Sequence, residues 1–118
     1  CCAGIIGNYL IVAGGWDGNR RHSSAELFSL TTHQWMDLPE MSFPHSFGAM
    51  VVVGTKAYIF GGEDQKSVEV LDLETHQWTT LSPMSMIRDG CAAVVIGNFI
   101  LVIGGGTDVV EVFDVLPQ

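Results

Sequence analysis

The 118-residue sequence predicts an all-β fold, an incomplete β-propeller of two four-stranded blades and a third without its last strand. Three observations lead there. An apolar stretch, a Gly-containing turn, a second apolar stretch and a double glycine recur as IIGNYLIVAGG (Ile5–Gly15), VVGTKAYIFGG (Val52–Gly62) and VIGNFILVIGG (Val95–Gly105). Glu26 and Glu69 each precede a tryptophan (Trp35, Trp78) by nine positions, and both tryptophans end the tetrapeptide Thr-His-Gln-Trp. The period is 47 residues from Gly14 to Gly61 and 43 from Gly61 to Gly104. A period above about 40 residues means one supersecondary unit used repeatedly, and four antiparallel strands with glycine pairs and a periodic tryptophan describe a propeller blade.

The second copy shows the elements best. Gly48–Val53 reads as strand a, Lys56–Phe60 as b, Ser67–Asp72 as c and Trp78–Ser82 as d. Gly54-Thr55 suits a two-residue hairpin turn, with glycine where φ must be positive. Asp72-Leu73-Glu74-Thr75 suits the turn between c and d, because an Asp side chain can bond its own downstream backbone. Strands a and b are nearly continuous apolar runs, as expected when neighbouring sheets cover both faces. The four-residue difference between the periods falls between the double glycine and the recurring glutamate, which marks a surface loop. The blades are then 1–44, 45–87 and a partial 88–118.

These residues resemble the kelch repeat. The resemblance rests on Gly61-Gly62, Val68-Glu69-Val70-Leu71-Asp72, Trp78, and Leu81-Ser82-Pro83-Met84 followed by Arg88. The first copy matches through Gly14-Gly15-Trp16-Asp17-Gly18, Ala25-Glu26-Leu27-Phe28, Trp35 and Leu38-Pro39-Glu40-Met41. It departs where His45 stands for Arg88 and Ser29 for Asp72. Propellers close with about four to eight blades, so the reading expects a fragment of a longer kelch protein.

Composition agrees with a globular β domain: hydrophobic residues make up 47% and charged residues 15%, respectively above and below usual shares. The net charge of −8 argues against nucleic acid or an anionic membrane as the main partner, since both demand a basic surface. The longest apolar tract, 92–103, is broken by Gly97-Asn98 and is too short to span a bilayer as one helix. Three cysteines, none in Cys-x-x-Cys spacing, form neither a disulfide framework nor a zinc site. They read as small strand residues in a reducing, cytoplasmic compartment.

The sequence offers no catalytic, cofactor or metal constellation: there is no Gly-x-Ser-x-Gly elbow, phosphate loop or metal-spaced cluster. His33 and His76 recur at one blade position and read as structural. So do Glu26, Glu69 and Glu111, which occur once per blade. Trp35 and Trp78 read as outer-strand packing residues. Chain direction reverses at each turn, so the b–c loops and the d-to-a connections share one face, and the variable segments gather there. Partner binding is assigned to that face, to Trp16, Arg20, Arg21 and His22 in the long blade-one loop, with Lys66 and Arg88. Arg88 also matches a recurring kelch position beside strand a, which gives it a structural reading as well.

The resemblance implies a protein- or peptide-binding platform, such as the substrate-recognition part of a BTB- or F-box-type ubiquitin ligase adaptor, or a cytoskeletal binder. The alternative it implies is a fragment of a kelch-type enzyme, such as a sialic-acid mutarotase or a galactose-oxidase-like protein. Because each blade buries its faces on its neighbours, the isolated chain is expected to aggregate or to pair two copies into a six-blade-like ring.

Overall fold

In the computed structural model, residues 2–14, 23–45, 48–62, 65–107 and 109–114 are described. They form three antiparallel sheets from eleven strands, with no helix among the described residues. Sheet one runs β1 (Cys2–Ile6), β2 (Tyr9–Ala13), β3 (Ala25–Ser29) and β4 (Trp35–Leu38). Sheet two runs β5 (Ala49–Val53), β6 (Lys56–Gly62), β7 (Gln65–Asp72) and β8 (Gln77–Leu81). Sheet three holds β9 (Cys91–Ile96), β10 (Phe99–Gly104) and β11 (Glu111–Asp114), in spatial order β11-β10-β9. Each strand pairs with its sequence neighbour, which is the a-b-c-d meander of a blade.

The turns follow from their residues. Ile6 pairs Tyr9, Val53 pairs Lys56 and Ile96 pairs Phe99, so each a–b loop has two residues. Glycine takes the first loop position with φ near +60° (56°, 61° and 59° at Gly7, Gly54 and Gly97), the pattern of a II′ turn whose twist suits flanking strands. In the second c–d turn, the Glu74 N–H donates to the Asp72 carboxylate at 2.9 Å, the Asp contact expected there. The closing position is held by His76 at φ 59°, and by His33 at φ 62° in the first blade. Histidine is among the few side chains enriched in this left-handed region, which explains its recurrence.

The strand bounds differ from the sequence reading at the double glycine. β6 continues through Gly61-Gly62 across a bulge, and β7 begins at Gln65 rather than Ser67. Gly61 has φ 65°, and a Cβ there would lie 2.8 Å from the Arg88 carbonyl oxygen. The glycine thus serves both the bulge and a close approach of the next connection.

Two apolar layers hold the blades together. Ile11, Ala13, Leu27, Leu38 and Met41 of blade one meet Ala57, Ile59 and Leu71 of blade two. Tyr58, Phe60, Val68 and Met84 of blade two meet Ile100 and Val102 of blade three, with Phe113 tilted against Phe60 at 5.1 Å. β6 is consequently buried almost throughout, whereas β2 and β10 alternate between buried and accessible positions. The expectation of two covered faces is met in the middle blade. Among the described residues nothing covers the outer faces of the end blades, and the extents are 42 × 38 × 19 Å.

Candidate functional site

The site is built where each blade hands the chain to the next. After β8 the chain runs through Pro83–Arg88 before entering β9. This exit segment is pinned to its own blade: the Met84 N–H donates to the Lys66 carbonyl at 2.8 Å, and the Arg88 N–H to the Gln65 carbonyl at 3.2 Å. The first exit segment repeats the first contact, with the Met41 N–H donating to the Ser23 carbonyl at 2.8 Å.

The same segments are held from the other side by the following blade. Glu69 on β7 is fully buried; it accepts from the Ser42 N–H (2.8 Å) and Phe43 N–H (3.1 Å), and lies 2.8 Å from His45 Nε2. Glu111 on β11 accepts from the Ser85 N–H at 2.9 Å and from Arg88 Nε at 3.0 Å. A glutamate, a serine N–H and a basic side chain (His45 or Arg88) therefore form a clasp used twice. His45 Nδ1 bonds the Gly61 carbonyl, as Arg88 Nη1 bonds the Gly104 carbonyl at 2.8 Å; Arg88 Nη2 adds the Val109 carbonyl. Since a carbonyl only accepts, Nδ1 of His45 carries a hydrogen. His45 thus reproduces two of the three arginine contacts.

Burial alone would raise the Glu69 carboxyl. The hydrogen bonds from His45, Ser42 and Phe43, with the His45 charge, outweigh it and hold the group below its ordinary value of 4.5. Glu111 is lowered in the same way, with burial opposed by the Ser85 and Arg88 contacts. Burial pushes the Cys2 thiol up to about 11, which keeps it an unreactive core residue.

Arg88, assigned to partner binding from the sequence, is completely buried and spends its guanidinium on these internal contacts. Lys66 lies on β7 rather than in a loop, and is exposed. Trp16, Arg20, Arg21 and His22 lie outside the described residues. Trp78 packs partly buried against the first apolar layer and donates its Nε1–H to the Pro39 carbonyl at 2.7 Å. Trp35 instead remains 55% exposed, tilted over Phe28 at 4.8 Å.

Around the second exit segment, Phe43, Gln65, Lys66, Ser67, Pro83 and Ile87 line a depression of about 310 Å³. Phe43 and Ile87 leave apolar side chains exposed there. Sequence reasoning named the connecting segments of this face but not Phe43 or Ile87; the available signal was an apolar residue inside a polar connection, at Met-Ser-Phe-Pro-His and Met-Ser-Met-Ile-Arg. A larger depression of about 660 Å³ lies on the opposite face, between turn residues such as Asn8, Thr32, Thr55 and His76. Those turns are alike from blade to blade, so that notch follows from the packing of blades one and two. Among the described residues no group of three or more His, Cys, Asp or Glu could hold a metal ion.

Comparisons with known proteins agree with the repeat. The family model for the Kelch motif matches residues 1–42 and 44–85. An F-box/kelch-repeat protein of Arabidopsis thaliana is 34% identical over 56 residues, 48% of this chain and 16% of that protein. Immune evasion proteins of vaccinia virus (strain Ankara) and of monkeypox virus are 26% identical over 62 residues, 52% of this chain and 13% of theirs. The chain therefore spans a small part of the length of the relatives it matches.

Proposed function

The chain belongs to the kelch-repeat family, and we propose that it is a binding module that takes a peptide or protein on the face bearing the exit segments. The observation that carries this reading is the depression between Phe43, Lys66, Pro83 and Ile87. Its volume sits at the small end of ligand pockets, which start near about 300 Å³, and suits one anchoring side chain of a polypeptide. Exposed apolar groups held by a rigid clasp lose little entropy on binding.

Charge narrows the partner. The protein carries 13 acidic and 5 basic residues, yet Lys66 is an exposed cation at this rim. An apolar anchor with a neighbouring carboxylate fits both features. The finer reading is the substrate-recognition part of a ubiquitin ligase adaptor, supported by the F-box/kelch-repeat name of one relative.

Selection of random 12-residue peptides on the protein tests the reading. The selected peptides should pair an apolar residue with Asp or Glu. They should bind Phe43→Ala/Ile87→Ala and Lys66→Glu at least about tenfold more weakly, the loss a hot spot gives. Equal binding to both variants would place the function on another surface.

A further inference from the structure

We propose that Ser23 is a phosphorylation site for an arginine-directed serine kinase, and that a phosphate there unfastens the first exit segment from blade one. The sequence supplies the recognition element. Arg20-Arg21-His22-Ser23 sets arginines three and two residues before a serine. The chain has 13 acidic and 5 basic residues, and two of its cations adjoin only here. A planar guanidinium takes a carboxylate in two parallel hydrogen bonds. A kinase whose peptide groove carries acidic side chains at those two positions therefore selects Ser23, since no other serine of the chain has arginine at both.

The structure supplies access and consequence. Ser23 is partly exposed, in irregular chain just before β3. Its hydroxyl donates to Glu40 Oε1 at 2.8 Å, an exposed contact, and its carbonyl accepts from the Met41 N–H at 2.8 Å. Both bonds hold the start of the first exit segment. The kinase transfers the γ-phosphoryl group of ATP to Ser23 Oγ. The new O–P bond forms as the bond from the γ-phosphorus to the β–γ bridging oxygen breaks; ADP leaves, and the hydroxyl proton passes to the kinase's catalytic carboxylate. The donor to Glu40 is thereby lost, and a group of about −1.5 to −2 charge stands beside that carboxylate. An attraction at the joint becomes a repulsion. Glu69 still holds the Ser42 and Phe43 N–H groups from blade two, so the segment loosens at one end only.

The position also bears on the binding face. Ser23 and Lys66 are equivalents: each lies three residues before its strand-c glutamate, and each carbonyl takes the N–H of an exit-segment methionine. Phosphorylation sets an anion in blade one where blade two sets the cation beside the depression. A partner carrying a carboxylate is then repelled, an effect that salt screens. This consequence rests on the function proposed above; the modification itself does not.

The test incubates the 118-residue protein with magnesium-ATP and the catalytic subunit of cyclic-AMP-dependent protein kinase, an enzyme of this class. Fragmentation mass spectrometry then maps the product, and one phosphate on Ser23 is expected. Ser23→Ala should abolish incorporation. Arg20→Ala/Arg21→Ala should slow it at least about tenfold, the loss of charge-assisted contacts. In the phosphorylated protein the Met41 amide should exchange with solvent about tenfold faster. Glu40→Gln, which removes the repelling charge, should restore most of that protection. Phosphate on Ser24 or another residue, incorporation indifferent to the arginine pair, or an unchanged Met41 amide would overturn the proposal. Acidic peptides selected on the Lys66 face should bind the phosphorylated protein at least about threefold more weakly at low salt. Equal binding would remove the regulatory consequence, whereas a protein that selects no peptide at all would defeat the proposed function with the Ser23 result unaffected.

Discussion

Glu69 and Arg88 are the buried charged residues among those described. Arg88 has no exposed surface and three separate acceptors in blade three, in Glu111, Gly104 and Val109. Removing one partner of a buried pair strands the other, at a cost of about 3–5 kcal/mol. Arg88→Ala should therefore destabilise the protein by that amount in urea unfolding, while Lys66→Ala should stay within about 0.5 kcal/mol. Arg88→Lys should recover little, because an ammonium cannot span the three acceptors as the planar fork does. The two glutamates also set the acid limit. Both carboxyls lie below their ordinary value of 4.5 in the folded protein. A depressed folded pKa contributes stability that is complete above the unfolded value and is lost as pH falls through the folded one. The urea midpoint should thus hold from neutrality to about pH 5 and drop below about pH 4.5. In Glu69→Gln/Glu111→Gln, less stable throughout, the drop should be shallower.

The strands show how far local pattern reaches. Period, turn glycines and apolar runs placed a, b, c and d of the second copy within one or two residues, because those features are local and each turn admits few residues. The double glycine was legible as a punctuation mark, but its reason was not. At Gly61 the constraint comes from the Arg88 carbonyl, 27 positions away in sequence, and a contact of that range leaves no local signature. The clasp was hidden for the same cause. Glu69 and Ser42 lie 27 positions apart, and only the folded arc brings them together. Glycine substitutions separate the two kinds of constraint. Gly54→Ala meets open space and should cost only the positive-φ backbone, about 1–3 kcal/mol. Gly61→Ala adds a Cβ 2.8 Å from that carbonyl, so its urea midpoint should fall clearly further.

The three blades behave as a series, each buried on the next, with two unlike ends. Blade three presents Val94, Ile96 and Val112 on its open face, the last two both 59% exposed. Among the described residues no strand pairs with the outer edge of β11. Apolar β-branched strands with a bare edge associate. The mass measured by light scattering should therefore rise with protein concentration, and Val112→Lys should suppress the rise. The series also has a direction, since each glutamate fastens its blade to the one before it. Glu69 and Glu26 occupy the same register, and among the described residues Glu69 alone of the two holds an exit segment. Urea unfolding of Glu69→Ala and Glu26→Ala, at one low protein concentration, tests this most directly. The account predicts a loss of about 3–5 kcal/mol for Glu69→Ala and less than about 0.5 kcal/mol for Glu26→Ala. Equal losses would contradict it, because the glutamate would then serve its own blade and not the joint between blades.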